Sequence, residues 1–307
     1  MKAAQIPAAS HRFKPISSPS RRRYWSSEAT PEPVGRSTDR TEWSRAVVPG
    51  GRVLQVSFDV AADAYDRFMG RYSKVLSPAF ADFAGVRAGQ RVLDVGCGPG
   101  ALTAELVDRL GPESVAAVDP SEPFVAAARA RYPGVDIQRS SAEDIPHPDD
   151  AFDVAMAQLV VHFMRDPIAG LTEMSRVTRP GGIVATCVWD FAGERAPISV
   201  FWQAAREGDA GVHDESGLAG AREGHLRELF EAAGLQEAEE TAILASVEHE
   251  TFEDWWEPFE LGVGPAGAYV DSLAPSERVA LRERCRSILP PPPFTIPAAV
   301  WAARGSP

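Results

Sequence analysis

The five residues Gly96-Cys97-Gly98-Pro99-Gly100 constrain this chain more than any other stretch. They follow the apolar run Val92–Val95 and lead into an amphipathic run, Ala101–Leu110, that stops at Gly111-Pro112. A short apolar strand, a glycine turn and a helix form the unit from which open α/β sheets are built, and ligands bind where such turns leave the carboxyl ends of the strands. The alternation continues downstream. Apolar strand-like runs cover 115–118, 135–138, 152–159 and 183–188, and helical patterns cover 123–132 and 168–177. Strands that are apolar throughout and separated by helices belong to a parallel sheet covered on both faces. Residues 91–188 therefore read as a doubly wound α/β core.

Flanking segments carry weaker signals. Tyr65, Phe68, Met69, Tyr72, Val75, Leu76 and Phe80 fall at helical spacing, with Gly70 weakening the middle. After the core, 222–233 reads as a helix ended by Gly234, and 242–247 as a strand. Thr251 and Asp254 have the spacing of a helix cap, and 276–289 reads as a charged helix. The last strand, 294–301, contains Pro297, which points to an edge or irregular position.

Residues 1–55 differ in kind. The first 50 hold six Pro, eight Ser and nine Lys/Arg against four Asp/Glu, with little hydrophobic periodicity. They read as a disordered extension, since their acids and prolines spoil an amphipathic targeting helix and no apolar signal region is present. Residues 56–307 then form one domain: a core at 91–190 and cap elements near 191–235 and 249–292. Total charge is −12, so residues 51–307 carry 22 basic against 39 acidic groups, or −17. That acidic body argues against a nucleic-acid partner. No apolar run is long enough to span a membrane. Cys97, Cys187 and Cys285 are distant and odd in number, which fits a reducing, cytoplasmic setting and neither a disulfide framework nor a metal site.

Which ligand would the glycine turn hold? A phosphate loop needs a Lys after its glycines, and none follows here. A dinucleotide turn needs G-x-G-x-x-G, but Gly96, Gly98 and Gly100 run one residue short. Asp94, two residues before the turn, would repel a pyrophosphate and suits an ammonium group. Asp119, at the end of the second strand, suits the two hydroxyls of a ribose. A ribose plus a cationic head without a phosphate clamp describes S-adenosylmethionine.

The segments "VLDVGCGPG", "VAAVDPS", "SSAEDIPHPDDAFDVAMAQLVVHF" and "EMSRVTRPGG" resemble the successive motifs of class I S-adenosylmethionine-dependent methyltransferases, and are most similar to the ubiquinone/menaquinone-biosynthesis-like branch acting on small molecules. The resemblance implies a mostly parallel seven-stranded sheet with helices on both faces and a C-terminal cap insertion. It implies that Gly96, Cys97 and Gly98 approach the methionine part of the cofactor through their backbone, that Asp94 orients its amino group, and that Asp119 binds the ribose with Pro120 and Ser121 beside the adenine. Glu143 and Asp144 match the segment that meets the adenine amine, although His147 stands where an aromatic residue is more usual. Gln158 would face cofactor and substrate, and Tyr65, with Arg71 and Tyr72, would belong to a helix closing over the cofactor.

Each reading has a plainer counterpart. Asp119 could cap the next helix, Asp144 could be a solvated loop acid, and Gln158 could simply end a strand. His162 could serve as a base but reads first as a packed residue, so no catalytic base is assigned. Trp202, Trp255 and Trp256 are candidates for covering the substrate, or for ordinary core packing. The function implied is methyl transfer by in-line displacement to a small, apolar or aromatic acceptor. An NAD-dependent oxidoreductase on a similar fold and a non-catalytic S-adenosylmethionine-binding protein are the alternatives.

Overall fold

The computed structural model describes residues 62–307 and, before them, the backbone of two short strands, β1 (Arg45–Val47) and β2 (Val53–Gln55), paired antiparallel. The remainder of the expected N-terminal extension lies outside the described residues. From residue 62 the chain forms α1 (Ala62–Tyr65), a widened π-type turn over Asp66–Gly70, and α2 (Arg71–Phe83). The single helix read from the sequence is thus interrupted where Gly70 stands.

The core follows as β3 (Val92–Val95), α3 (Ala101–Leu110), β4 (Val115–Asp119), α4 (Glu122–Arg131), β5 (Asp136–Arg139), β6 (Phe152–Gln158), α5 (Pro167–Val177) and β7 (Thr178–Trp189). Beyond it lie α6 (Ser199–Gly208), α7 (His225–Ala232), β8 (Gln236–His249), α8 (Phe252–Trp256), α9 (Gly264–Ser272), α10 (Pro275–Ile288) and β9 (Phe294–Ser306). Seven strands make one sheet in the order β5-β4-β3-β6-β7-β9-β8, parallel from β5 to β7 and antiparallel at β9. Both faces are buried: along β4, Ala116 and Val118 join the main core while Ala117 joins a smaller cluster with Val125, Ala128 and Ile137.

The chain steps outward from β3 to β4 and β5, then returns to β6 on the other side of β3. That reversal opens a crevice at the carboxyl ends of β3 and β6, and the glycine turn sits at its mouth.

Three elements differ from the sequence reading. Pro297 lies in β9, an interior strand. It pairs with Ser246 of β8, whereas β7 pairs with β9 only from Val300 onward, so the proline occupies an overhang with one neighbour and no donor is missed on the other side. β7 begins at Thr178, opposite Phe152, and runs through Pro180-Gly181-Gly182 with a register shift rather than starting after them. The third is α9, whose sequence GPAGAYVDS has poor helix propensity. It forms because Ala266, Gly267 and Val270 are buried, an instance of packing overriding propensity.

One polar network fixes α2 to the C-terminal half. The Arg71 guanidinium donates to both carboxylate oxygens of Asp254 (2.8 and 3.0 Å), His249 Nδ1 lies 3.0 Å from the same carboxylate, and the Tyr72 hydroxyl is 2.8 Å from His249 Nε2. Burial, with Arg71 alongside, lowers the His249 pKa. Arg71 and Tyr72 therefore face β8 and α8 and tie α2 to the C-terminal half.

Candidate functional site

The glycine turn is built by the ends of β3 and β4 together. Gly96 and Cys97 both donate backbone N–H bonds to the Val118 carbonyl (2.7 and 3.0 Å). The Asp119 carboxylate then takes the Gly98 N–H on one oxygen and the Ser121 N–H on the other, both at 2.8 Å. Asp119 therefore does not cap α4, whose first residue is preceded by Ser121. It ties the turn to the start of α4 and keeps lone pairs for a further donor.

Gly96, Gly98 and Gly100 all have positive φ (72°, 54° and 101°), which glycine adopts without strain. A Cβ on Gly96 would lie 2.5 Å from the Val160 side chain, so this glycine lets the segment after β6 close against the turn. A Cβ on Gly98 would meet nothing within 4 Å, because Gly98 faces open space.

That space is a cavity of about 520 Å³ lined by Tyr65, Gly96, Gly98, Asp119, Pro120, Ser121, Phe124, Leu159, Val160 and Phe163. Tyr65 packs edge-on against Phe124, with ring centroids 5.3 Å apart, and burial pushes its phenol up to about 12. Leu159 has φ +63°, an uncommon conformation for a branched residue, which aims the chain between the cavity and the sheet.

Asp94 sits behind the turn and is 1% exposed. Its Oδ2 accepts a 2.6 Å hydrogen bond from Thr103, while Oδ1 is buried without any partner. Burial raises the Asp94 carboxyl to about 7 and the Asp119 carboxyl to about 6. A buried carboxylate with an unused oxygen and no adjacent cation is a strong acceptor for an ammonium group.

A second, adjoining cavity shares Tyr65, Leu159 and Phe163 with the first. Its wall is otherwise largely apolar, with Trp189, Phe191, Ile198 and Val263, and includes His162 and Glu215. His162 is buried, 3.9 Å from the Phe163 ring centroid, and burial lowers its pKa to about 3.

Other candidates from the sequence lie elsewhere. The Cys97 side chain packs with Ala117, Val125 and Ala128, so only its backbone belongs to the turn. Gln158 is turned onto α2, accepting from Ser77 Oγ and donating to the Ser73 carbonyl. Glu143 accepts the N–H groups of Arg165 and Asp166, fixing the approach to α5, and Asp144 is exposed; neither lines a cavity described here. Trp256 packs parallel to Phe252 within the core, and Trp255 lines a smaller pocket beside Arg71 and Tyr72. Trp202 does not line the second cavity, but its indole N–H donates to Glu215, which does (2.6 Å).

Phe124, Leu159, Val160, Phe163 and Glu215 were not singled out by sequence. The first four follow strand ends, which is the available signal. Glu215 lies in an irregular segment and carries none.

Comparison with known proteins bears on this geometry. Residues 93–186 match the family described as "Methyltransferase domain". This segment is therefore similar to known methyltransferase domains. The chain is 35% identical over 144 residues to an uncharacterized methyltransferase of Mycobacterium tuberculosis, covering 47% of this chain and 56% of the relative. It is 34% identical over 152 residues to a malonyl-[acyl-carrier protein] O-methyltransferase of Erwinia billingiae, covering 50% and 59%. It thus spans a little over half the length of the curated relatives it matches. Among solved structures, a putative methyltransferase from an antibiotic biosynthesis pathway of Anabaena variabilis aligns with a TM-score of 0.50 at 17% identity, over 76% of this chain and 96% of the other, a likeness of fold. The relatives do not single out the quinone-biosynthesis branch.

The sequence resemblance implies S-adenosylmethionine as the cofactor, and the residues present fit it. The unpartnered Asp94 Oδ1 can take the methionine ammonium, Asp119 retains acceptor capacity for ribose hydroxyls, and Gly98 leaves room where a side chain would intrude. Phe124 and Pro120 offer apolar surface for a base.

Two outcomes follow. Gly96→Ala brings a methyl against Val160 and lowers the denaturation midpoint in urea. Gly98→Ala costs only the left-handed backbone, about 1–2 kcal/mol, yet weakens S-adenosylhomocysteine binding at least about tenfold by filling ligand space. The second concerns pH. A carboxyl whose folded pKa lies above its unfolded value gains protons on folding, so the stability it contributes declines as pH rises from about 4 towards 7. A cation on Asp94 offsets that loss. The rise in thermal midpoint caused by S-adenosylhomocysteine should therefore increase from pH 5.5 to pH 8, and Asp94→Asn should flatten this dependence.

Proposed function

We propose that this protein moves the methyl group of S-adenosylmethionine to a small, apolar acceptor. The observation that carries the reading is the second, largely apolar cavity, which shares Tyr65, Leu159 and Phe163 with the glycine-turn cavity. Residues 56–307 act as one methyltransferase domain, with the elements between β7 and β8 and between β8 and β9 forming the acceptor's surroundings.

The cofactor supplies a methyl group already activated on a sulfonium. The protein's task is then alignment and exclusion of water. Asp94 and Asp119 fix the two ends of the cofactor relative to the turn. Tyr65, Leu159 and Phe163 form the boundary across which donor and acceptor meet, and their apolar surfaces keep water from it. Burial holds His162 neutral at physiological pH, so it offers an uncharged imidazole to the acceptor.

The Erwinia relative is named for a malonyl group on a carrier protein as its acceptor. The apolar wall of the second cavity supports a different acceptor here. A cytoplasmic setting is supported by three buried, free cysteines, and a small-molecule partner by the acidic balance of residues 51–307. No helix among the described residues is long and apolar enough to cross a membrane. Against the oxidoreductase reading stands the short glycine spacing, whose third glycine caps α3 in a left-handed conformation.

The test couples binding to turnover. Isothermal titration should show S-adenosylhomocysteine binding that Asp119→Ala weakens at least about tenfold. Radiolabelled S-adenosylmethionine with a metabolite extract should yield a labelled apolar product. Binding without transfer to any component would leave a cofactor-binding protein in place of an enzyme, and NADH binding without S-adenosylhomocysteine binding would favour the oxidoreductase.

A further inference from the structure

The second cavity contains a polar device that the methyltransferase reading does not use. Glu215 stands at the start of a single helical turn, Glu215–Gly217, and is 5% exposed. Its Oε2 is fixed by the Trp202 indole N–H at 2.6 Å, and no hydrogen bond engages Oε1. Nearby, Arg206 is engaged by Asp214 and Glu194, so its charge is spent on those acids. His162 lines the same cavity, 7% exposed, and its Nδ1 is buried without a partner.

Among the described residues, none of the 14 that line this cavity is Lys or Arg. Its titratable side chains are Tyr65, His162 and Glu215. Burial holds each of them uncharged at neutral pH: it raises Tyr65 to about 12, lowers His162 to about 3 and raises Glu215 to about 8. The Trp202 bond and the neighbouring Asp214 act on Glu215 in opposite directions, with burial the largest influence. A cavity with no cation disfavours an anionic guest, which would lose its hydration without a counter-charge. A primary ammonium carries three donors and a full hydration shell, and the polar side chains among the described lining residues, Tyr65, His162 and Glu215, are too few to replace that shell inside an apolar wall. A neutral carboxylic acid pinned at one oxygen offers a hydrogen bond from the other.

We propose that Glu215, positioned by Trp202, is the specificity-determining residue of the acceptor cavity, and that with His162 it selects an uncharged, largely apolar molecule bearing a hydroxyl or carbonyl oxygen. This rests on the second cavity being the acceptor site of the proposed methyl transfer. It separates this chain's acceptor from carboxylate acceptors, which need a cation to hold them. Trp202 thereby enters the site as a positioning residue acting through Glu215.

Three probes sharing one ring system test it: 2-naphthylmethanol, 2-naphthoate and 2-naphthylmethylammonium, titrated calorimetrically at pH 7 into the full chain with and without S-adenosylhomocysteine. The alcohol should bind at least about tenfold tighter than either ion. Glu215→Gln keeps an uncharged donor and an acceptor for Trp202, so it should hold the alcohol within about threefold, whereas Glu215→Leu should lose about tenfold. S-adenosylhomocysteine affinity should stay constant in both variants, which separates loss of the device from loss of fold. Equal or tighter binding of a charged probe, no binding of the alcohol, or a loss in Glu215→Gln matching that in Glu215→Leu overturns the proposal. Failure of S-adenosylhomocysteine to bind the native chain would instead overturn the cofactor reading, and the ranking of the three probes in its absence would still decide this one.

Discussion

The Asp119 carboxylate is the constraint on which the site depends. By taking N–H groups from Gly98 on one side and Ser121 on the other, it fastens the end of β4 to the turn that leaves β3. Without that clamp the glycine turn, with three left-handed residues in five, has few reasons to keep a single shape. With it, backbone rather than side chains faces the cavity, and a ligand can approach closely. The cost is a buried charge, visible in the raised pKa of Asp119 and more strongly of Asp94 behind it. A cationic, hydroxyl-rich ligand, as proposed, would relieve that cost.

The second organising feature is the shared wall. Tyr65 comes from the N-terminal helical segment, whereas Leu159 and Phe163 follow β6, so the boundary between the two cavities is assembled from segments nearly 100 residues apart in sequence. The Arg71–Asp254 and Tyr72–His249 bonds matter here because they hold α2, and with it the segment carrying Tyr65, against β8 and α8. The C-terminal elements thus stabilise the wall of the glycine-turn cavity as well as lining the second one.

Sequence reading captured the parallel core because most of its strands hold apolar runs, and the first two end at a glycine turn and an aspartate, signals that are local. Asp94 and Asp119 lie at the strand ends beside the glycine turn, where the sequence placed them. It placed Gln158, Glu143 and the tryptophans less well. Gln158 ends β6 as read, but the direction of its side chain depends on α2, which crosses from elsewhere in the chain. Trp202 and Trp256 read alike in sequence, yet one holds Glu215 and the other packs against Phe252, a difference set by tertiary contacts alone. Pro297 shows the same limit in the fold: a proline forbids a ladder bond, but the sequence does not say how far the neighbouring strand extends.

The most direct test is a crystal structure with S-adenosylhomocysteine bound. The account predicts the homocysteine ammonium at Asp94 Oδ1, the ribose hydroxyls at Asp119, and the sulfur directed towards the wall formed by Tyr65, Leu159 and Phe163. A ligand lying elsewhere, or one whose ammonium avoids Asp94 while Oδ1 stays unpartnered, would contradict it.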